Sequence, residues 1–399
     1  MKRFIPLFLL LVLTLNLGCR KEIVKELLPT AFVKLYPTDS SYRPRGCFQL
    51  QNGNYILYGL DVANIGVLPL IMKIDPSGKV IKQQKMPDIY HYLTLKLLKD
   101  GNMLAIGIEN TLSSNANVCI LDTGLVITQE WHFPIDSIRA TGDQLPDFVE
   151  EENGDFTIVG YSTYKKYLTP FILRIDRNGN ELKFLQYDSL QKGTHFGTIG
   201  IVRHNDGYSV SGNAFNLSTI YRGMYCLHLD ENYNMVWDTI MFDDGGTRTV
   251  DGMNSDESDH STIVCGTFGS ERQVGNLYVR RIDASGNPED QVSFYDYKNY
   301  ATFSSISKTV DGGYILSGTV NQLLDLHLVS NANIYLLKLN SKLNKEWSRQ
   351  FNSTIPYSAC SAVQVADGGY MVSGSEHTGS YDFTFILIKT DAEGNIVPQ

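Results

Sequence analysis

Charge, tryptophan and helical periodicity are all scarce in this chain. Only 19% of the 399 residues are charged and only 3 are Trp. The 34 basic residues are outnumbered by 43 acidic ones, a net charge of −9 that excludes the basic footprint of a nucleic-acid binder. No stretch sustains a 3.6-residue apolar period, so helix is expected to be nearly absent. No C-x-x-C pair occurs, which removes the usual structural zinc site. H-E-x-x-H, the Walker loop and the G-x-S-x-G elbow are missing as well. The 8 His residues lack helical metal-ligand spacing, and turns such as Asp176-Arg177-Asn178-Gly179-Asn180 lack the Glu that completes a calcium loop. No metal or other cofactor is expected. What the chain does have is 43% hydrophobic residues, enough for a large core, and 23 Tyr with 18 Phe, an aromatic bias that suits strands.

The first residues read as an address. Lys2 and Arg3 precede an apolar run from Phe4 to Leu17, too short for the ~20 residues that span a bilayer. The run ends at Leu15-Asn16-Leu17-Gly18-Cys19, which resembles a bacterial lipobox, with Asn16 in place of the usual Leu. That resemblance implies a signal peptide over 1–18, diacylglycerol on Cys19, a tether over 19–29 and a folded unit over 30–399. Arg20, where an Asp often retains lipoproteins in the inner membrane, implies anchoring to the outer membrane, with the membrane as a partner. The remaining cysteines are Cys47, Cys119, Cys226, Cys265 and Cys360. Buried small apolar roles suit them, and Cys47 with Cys360 is the one pair considered for a bridge.

Seven copies of one motif set the fold. Asp311-Gly312-Gly313-Tyr314 and Asp367-Gly368-Gly369-Tyr370 are the clearest, and weaker copies begin near Gln51, Lys99, Glu152 and Asn205. A degenerate copy has Asp259-His260 in place of the turn. Each continues into an apolar run closed by Gly59, Gly107, Gly160, Gly212, Gly266, Gly318 or Gly374, at spacings of 48, 53, 52, 54, 52 and 56 residues. A second apolar run follows in phase and ends at a turn opened by Asp75, Asp122, Asp176, Asp230, Asp283, Asn340 or Asp391. Asp and Asn open such turns by bonding their own backbone, and Gly is expected to supply the positive φ. Each repeat therefore reads as four antiparallel strands, A to D, and the whole as an all-β, seven-bladed β-propeller in one domain. The last repeat has only Ile396-Val397 left for its fourth strand. Phe32 and Tyr36 are four apart, like Trp347 and Phe351 on a D strand, so the N-terminal segment is expected to close the final blade.

Residues 30–399 resemble bacterial secreted and lipid-anchored propellers built on Asp-Gly-Gly-Tyr-x-x-x-Gly … Leu-x-Lys-Leu-Asp-x-x-Gly-Asn … Trp repeats. The likeness is carried by Asp311 to Gly318 with Leu336 to Leu339, and by Asp367 to Gly374 with Ile386 to Asn395. D-strand positions Trp131, Trp237 and Trp347 are similar to quinoprotein-type propeller repeats. The resemblance implies the fold and an envelope location, and it implies no particular activity.

On the face where D–A and B–C connections emerge, the sequence collects Tyr90, His91, Tyr92, Arg139, His195, Asp244, Arg248, Tyr297, Tyr300 and Tyr357. Aromatic rings interspersed with polar groups suit stacking on sugars or anchoring a protein; the plainer reading is that they pack the rim. The 318–340 connection, with Leu323, Leu324, Leu326 and Leu328, reads as the longest B–C loop. Asp243, Asp244 and Asp251 around Arg248 offer paired carboxylates for acid–base work on a sugar, or simply a charged loop. Glu150-Glu151-Glu152 reads as a solvated face. Two function classes follow: a non-catalytic envelope module binding a glycan or protein, and a secreted carbohydrate-active hydrolase or lyase.

Overall fold

The computed structural model describes residues 31–37, 41–63, 66–86, 90–108, 115–134, 147–164, 167–187, 190, 193–219, 221–242, 247–256, 258–269, 276–289, 291–294, 300–325, 328–353, 355–377 and 383–396. They form a seven-bladed propeller of antiparallel sheets, and no α-helix occurs among them. Blade 1 comprises Ser41–Gln49, Tyr55–Ala63, Gly66–Ile74 and Val80–Lys85. Blade 2 comprises Tyr90–Leu97, Met103–Ile108, Asn115–Leu121 and Ile127–Pro134, and blade 3 Asp147–Glu150, Phe156–Tyr164, Tyr167–Ile175 and Glu181–Gln186. Blade 4 runs through Thr194–His204, Gly207–Asn216, Arg222–Asp230 and Met235–Phe242, and blade 5 through Gly252–Asp256, Ser261–Gly269, Asn276–Ile282 and Val292–Ser293. Blade 6 takes Tyr300–Lys308, Tyr314–Asp325, Leu328–Leu339 and Lys345–Phe351.

Blade 7 takes its A, B and C strands from Tyr357–Gln364, Tyr370–His377 and Phe383–Lys389, and its D strand from Phe32–Tyr36. Phe32 lies opposite Lys389 as Trp347 lies opposite Lys338, and Tyr36 lies opposite Phe385 as Phe351 lies opposite Ile334. The two aromatics therefore occupy the same register positions as their blade 6 counterparts.

The apolar core divides by seam. Strands B and C are buried on both faces, so each cluster joins two neighbouring blades: Leu104, Val118 and Phe156 join blades 2 and 3, and Phe32, Leu57 and Phe385 join blades 7 and 1. The C–D turns share one device. The opening Asp or Asn Oδ1 accepts the backbone N–H four residues on and, in blades 1 to 6, the one two residues on as well, as Asp75 does from Ser77 and Lys79, and Asp176 from Asn178 and Asn180.

Three expectations need correction. Glycine takes the positive φ in only four of the seven C–D turns; Leu125 (φ 61), Tyr233 (φ 67) and Leu343 (φ 63) take it in blades 2, 4 and 6. The 318–340 connection is no loop: strands B and C of blade 6 continue through it as a hairpin to Asp325 and Leu328, because the apolar pattern extends the ladder. Glu151 is not solvated. It is 4% exposed and accepts from Tyr208 (2.8 Å), Thr157 and Arg203, which together compensate a buried carboxylate between blades 3 and 4. The cysteines follow the plainer reading: Cys47 and Cys360 are free thiols, raised by burial to about 11 and about 12, values that leave both unreactive at neutral pH.

Candidate functional site

Strands A begin and strands B end on one face of the ring, and the side chains that the sequence proposes belong there. Arg139, Asp243, Asp244 and Tyr297, like Cys19, lie outside the described residues, as do the side chains of Tyr90, His91, Tyr92 and Tyr300. His195, Arg248 and Tyr357 are described. Tyr357 is half-buried against the seam of blades 6 and 7, so it packs the rim there.

His195 and Arg248 belong to one shoulder formed by blades 3 to 5. A two-residue strand, Thr247–Arg248, leaves the D–A connection and pairs with both neighbours: Thr247 with Arg222 of blade 4 and with Gly269 of blade 5. This bridge fuses two blades into one continuous sheet. Arg248 is its pin. The guanidinium is buried, 4.8 Å from the Tyr278 ring centre and 5.4 Å from that of Phe268, and donates to Gln291 Oε1 at 2.5 Å.

What the shoulder presents is different. His195 Nδ1 accepts the Leu168 backbone N–H at 2.9 Å, so the neutral ring carries its proton on Nε2. Burial holds this imidazole below its ordinary pKa and therefore neutral near pH 7. The Tyr167 ring lies 6.0 Å away, and Phe215 faces His195 across the A–B ladder. The exposed Arg222 guanidinium lies 5.9 Å from the Phe215 ring centre. Tyr167, Phe215 and Arg222 were not singled out in the sequence. The signal that would have found them is their place at the ends of strands B and C, near the start of the A strand that carries His195.

Deeper in blade 5, Asp251 Oδ2 accepts hydroxyls from Thr249 and Thr267, both at 3.3 Å. Burial pushes this carboxyl up to about 7, against the opposing pull of the two hydroxyls. Such an acid gains or loses a proton near neutrality.

A second group of polar side chains stands at the seam of blades 7 and 1. Ser358 Oγ lies 2.8 Å from both Ser375 Oγ and His377 Nε2, and the Phe383 ring meets His377 edge to face at 4.6 Å. Arg43 of blade 1 is exposed, its guanidinium 5.6 Å from the Phe383 ring centre. No group of His, Cys, Asp and Glu among the described residues is arranged to hold a metal ion.

No protein-family model matches the chain, and no curated protein matches it by sequence. Solved structures match its fold over nearly its whole length. A polysaccharide lyase of family PL25, an ulvan lyase, superposes with a TM-score of 0.62 at 9% identity, covering 92% of this chain and 98% of that one. The same kind of enzyme bound to -[GlcA(1-4)Rha3S]- gives 0.60 over the same shares at 9% identity. The polysaccharide lyase Uly1 gives 0.53 at 9% identity, over 90% and 91% of the two chains. At such identity the likeness establishes the seven-bladed architecture.

Proposed function

We propose that this propeller is a cell-envelope module, anchored to the outer membrane through Cys19, that binds a saccharide chain carrying anionic substituents on its blade 3–5 shoulder. The observation that carries the reading is the Tyr167–His195–Phe215–Arg222 group. Three rings stand beside an exposed guanidinium, which suits a sugar face together with a carboxylate or sulfate. The net charge of −9 gives no long-range attraction for a polyanion, so recognition is local and affinity modest. Fold-mates that act on polysaccharides, one of them solved with -[GlcA(1-4)Rha3S]-, support the ligand class.

Calorimetric titration with a sulfated polyuronide and with a neutral glucan tests the proposal. Binding confined to the polyanion, weakened about tenfold by Arg222→Ala and by His195→Ala, supports it. Equal binding of both polymers, or variants that bind like the parent, would place the ligand elsewhere. Cleavage in place of binding is favoured by Asp251, whose carboxyl is poised to exchange a proton near neutrality. New unsaturated or reducing ends appearing in the same titration mixture, and lost in Asp251→Asn, would identify that second reading.

A further inference from the structure

Side-chain oxygens of one blade, mostly hydroxyls, pin the A strand of the next. Ala359 N–H of blade 7 donates to Thr319 Oγ1 of blade 6 at 3.0 Å, and Val250 N–H of blade 5 donates to Asn213 Oδ1 of blade 4 at 2.7 Å. Both acceptors stand one residue after the closing glycine of strand B. One step further along, Ser305 of blade 6 accepts from Ala362 and Ser361 of blade 7 accepts from Cys47. These bonds explain why small polar residues line the seams: each takes up a backbone N–H on or beside the A strand of the next blade.

The seam between blades 7 and 1 departs from this rule. Ser375 is the blade 7 counterpart of Thr319, and the residue of blade 1 that should donate to it is Pro44, which pairs with Gly59 as Ala359 pairs with Gly374. Proline has no N–H to give. The hydroxyl pair Ser358–Ser375 is thereby released from pinning, and an imidazole takes the vacated place: His377 Nε2 lies 2.8 Å from Ser358 Oγ and 3.4 Å from Ser375 Oγ. The imidazole is itself held, by its backbone N–H on Pro356 O at 2.9 Å and by the edge-to-face contact with Phe383. Ser358 and His377 are both half-buried at the face where strands A begin.

We propose that Ser358 and His377 are a nucleophile–base pair that cleaves small acyl esters at this rim, with Arg43 placed to attract a substrate that also bears an anionic group. The site is separate from the blade 3–5 shoulder and does not depend on the saccharide reading. Ser358 Oγ bonds to the acyl carbon while its proton passes to His377 Nε2. The carbon–oxygen bond to the alcohol then breaks, and the departing oxygen takes that proton. Water, deprotonated by the same nitrogen, attacks the acyl-serine, releases the carboxylic acid and restores the hydroxyl. Partial burial holds His377 below its ordinary pKa, so the ring is a free base at neutral pH.

A fluorophosphonate probe tests the pair directly on the folded full-length protein, with mass spectrometry to locate the adduct. The expected result is one adduct on Ser358, none in Ser358→Ala, and at least a hundredfold slower labelling in His377→Gln at an unchanged melting temperature. The labelling rate of the parent should climb with pH through a midpoint below 6.5, which a purely structural hydroxyl would not show. An unlabelled folded parent, an adduct on another residue, or a label that survives Ser358→Ala would overturn the proposal. Should Ser358→Ala fail to fold, the His377→Gln rate and the mapped adduct decide alone.

Discussion

Odd-numbered and even-numbered blades are keyed into their predecessors by opposite devices. The C–D turns of blades 1, 3, 5 and 7 carry Gly78, Gly179, Gly286 and Gly394 at the positive-φ position, and an aromatic ring from the preceding blade fills the space above each. The rings are Trp131, Trp237, Trp347 and Phe32, the last sharing the space over Gly78 with the closer Lys34 stem. Blades 2, 4 and 6 place Leu125, Tyr233 and Leu343 at that position, all buried. There the preceding blade contributes a cation to a turn carbonyl: Lys82 to Gly124 O, Lys183 to Asn232 O and Arg281 to Ser341 O. Volume comes from one partner or the other, never both. Seven is odd, so the alternation must repeat once, and it does so at blades 7 and 1, where the N-terminal strand closes the ring with Phe32.

Removing that repeat gives the largest expected effect. Deleting residues 31–37 takes away Phe32 and Tyr36, both buried, and the five-residue ladder on Phe383–Lys389. At about 1.5–3 kcal/mol per buried aromatic, plus an exposed strand edge, the melting temperature should fall by roughly 10 °C or more. Adding a synthetic peptide of the deleted segment should recover part of the loss. A deletion that melts with the parent would mean that the ring is held closed without its last D strand.

The alternation itself can be broken at one seam. Gly179→Leu forces a side chain into the left-handed region and against the Trp131 indole, for a cost of about 3 kcal/mol by denaturant unfolding. Trp131→Ala together with Gly179→Leu clears the ring from above the turn, as in the even blades, and should recover at least ~1.5 kcal/mol relative to the sum of the single changes. Additive losses would show that ring and turn are independent and that the alternation carries no energy.

This alternation was only half legible in the sequence. The Asp- and Asn-opened turns, the seven intervals and the pairing of Phe32 with Tyr36 can be read because each rests on local backbone chemistry or on strand period. The left-handed residues of the even blades cannot. Gly124 stands one position before Leu125, and the rule that glycine takes positive φ points to the wrong residue. Whether Leu125, Tyr233 or Leu343 tolerates the strain depends on which side chain arrives from the preceding blade, about fifty residues earlier. The candidate sites show the same division. His195 was found because it falls where a D–A connection meets the next A strand, whereas Arg222 and the Ser358–His377 pair exist through contacts between strands. The latter depends on Pro44, whose effect is an absent N–H some three hundred residues away in sequence.

The smallest expected effect concerns the cation that strand C points at the A–B turn. Lys338 reaches Asp311 at 2.8 Å in blade 6 and Lys389 reaches Asp367 at 2.8 Å in blade 7, but blade 4 uses His228, 3.6 Å from Asp206. His228 stacks on Trp237 and faces His204, with Ser209 between them; His260, Asp259 and Thr262 approach from blade 5. Burial, with His228 nearby, lowers His204 to about 4, and burial also lowers His228. Because both rings resist protonation in the folded state, the unfolded chain takes up protons first as the pH drops below 6.5. Stability is therefore complete above pH 6.5 and is lost between about 6.5 and 4, by about 3 kcal/mol from His204 alone. Exchanging the imidazole for the ammonium of its sister blades, His228→Lys, should change stability at pH 7 by less than ~1 kcal/mol, since Asp206 is 57% exposed and screened by water. The same variant should flatten the upper part of the acid loss, between pH 6.5 and 5, because its charge no longer changes there. Urea melts of parent and variant at pH 7, 6 and 5 measure both quantities. Parallel losses would move the acid sensitivity from His228 to His204, and a large loss at pH 7 would mean that the stack on Trp237, which a lysine cannot copy, is what blade 4 needs from its histidine.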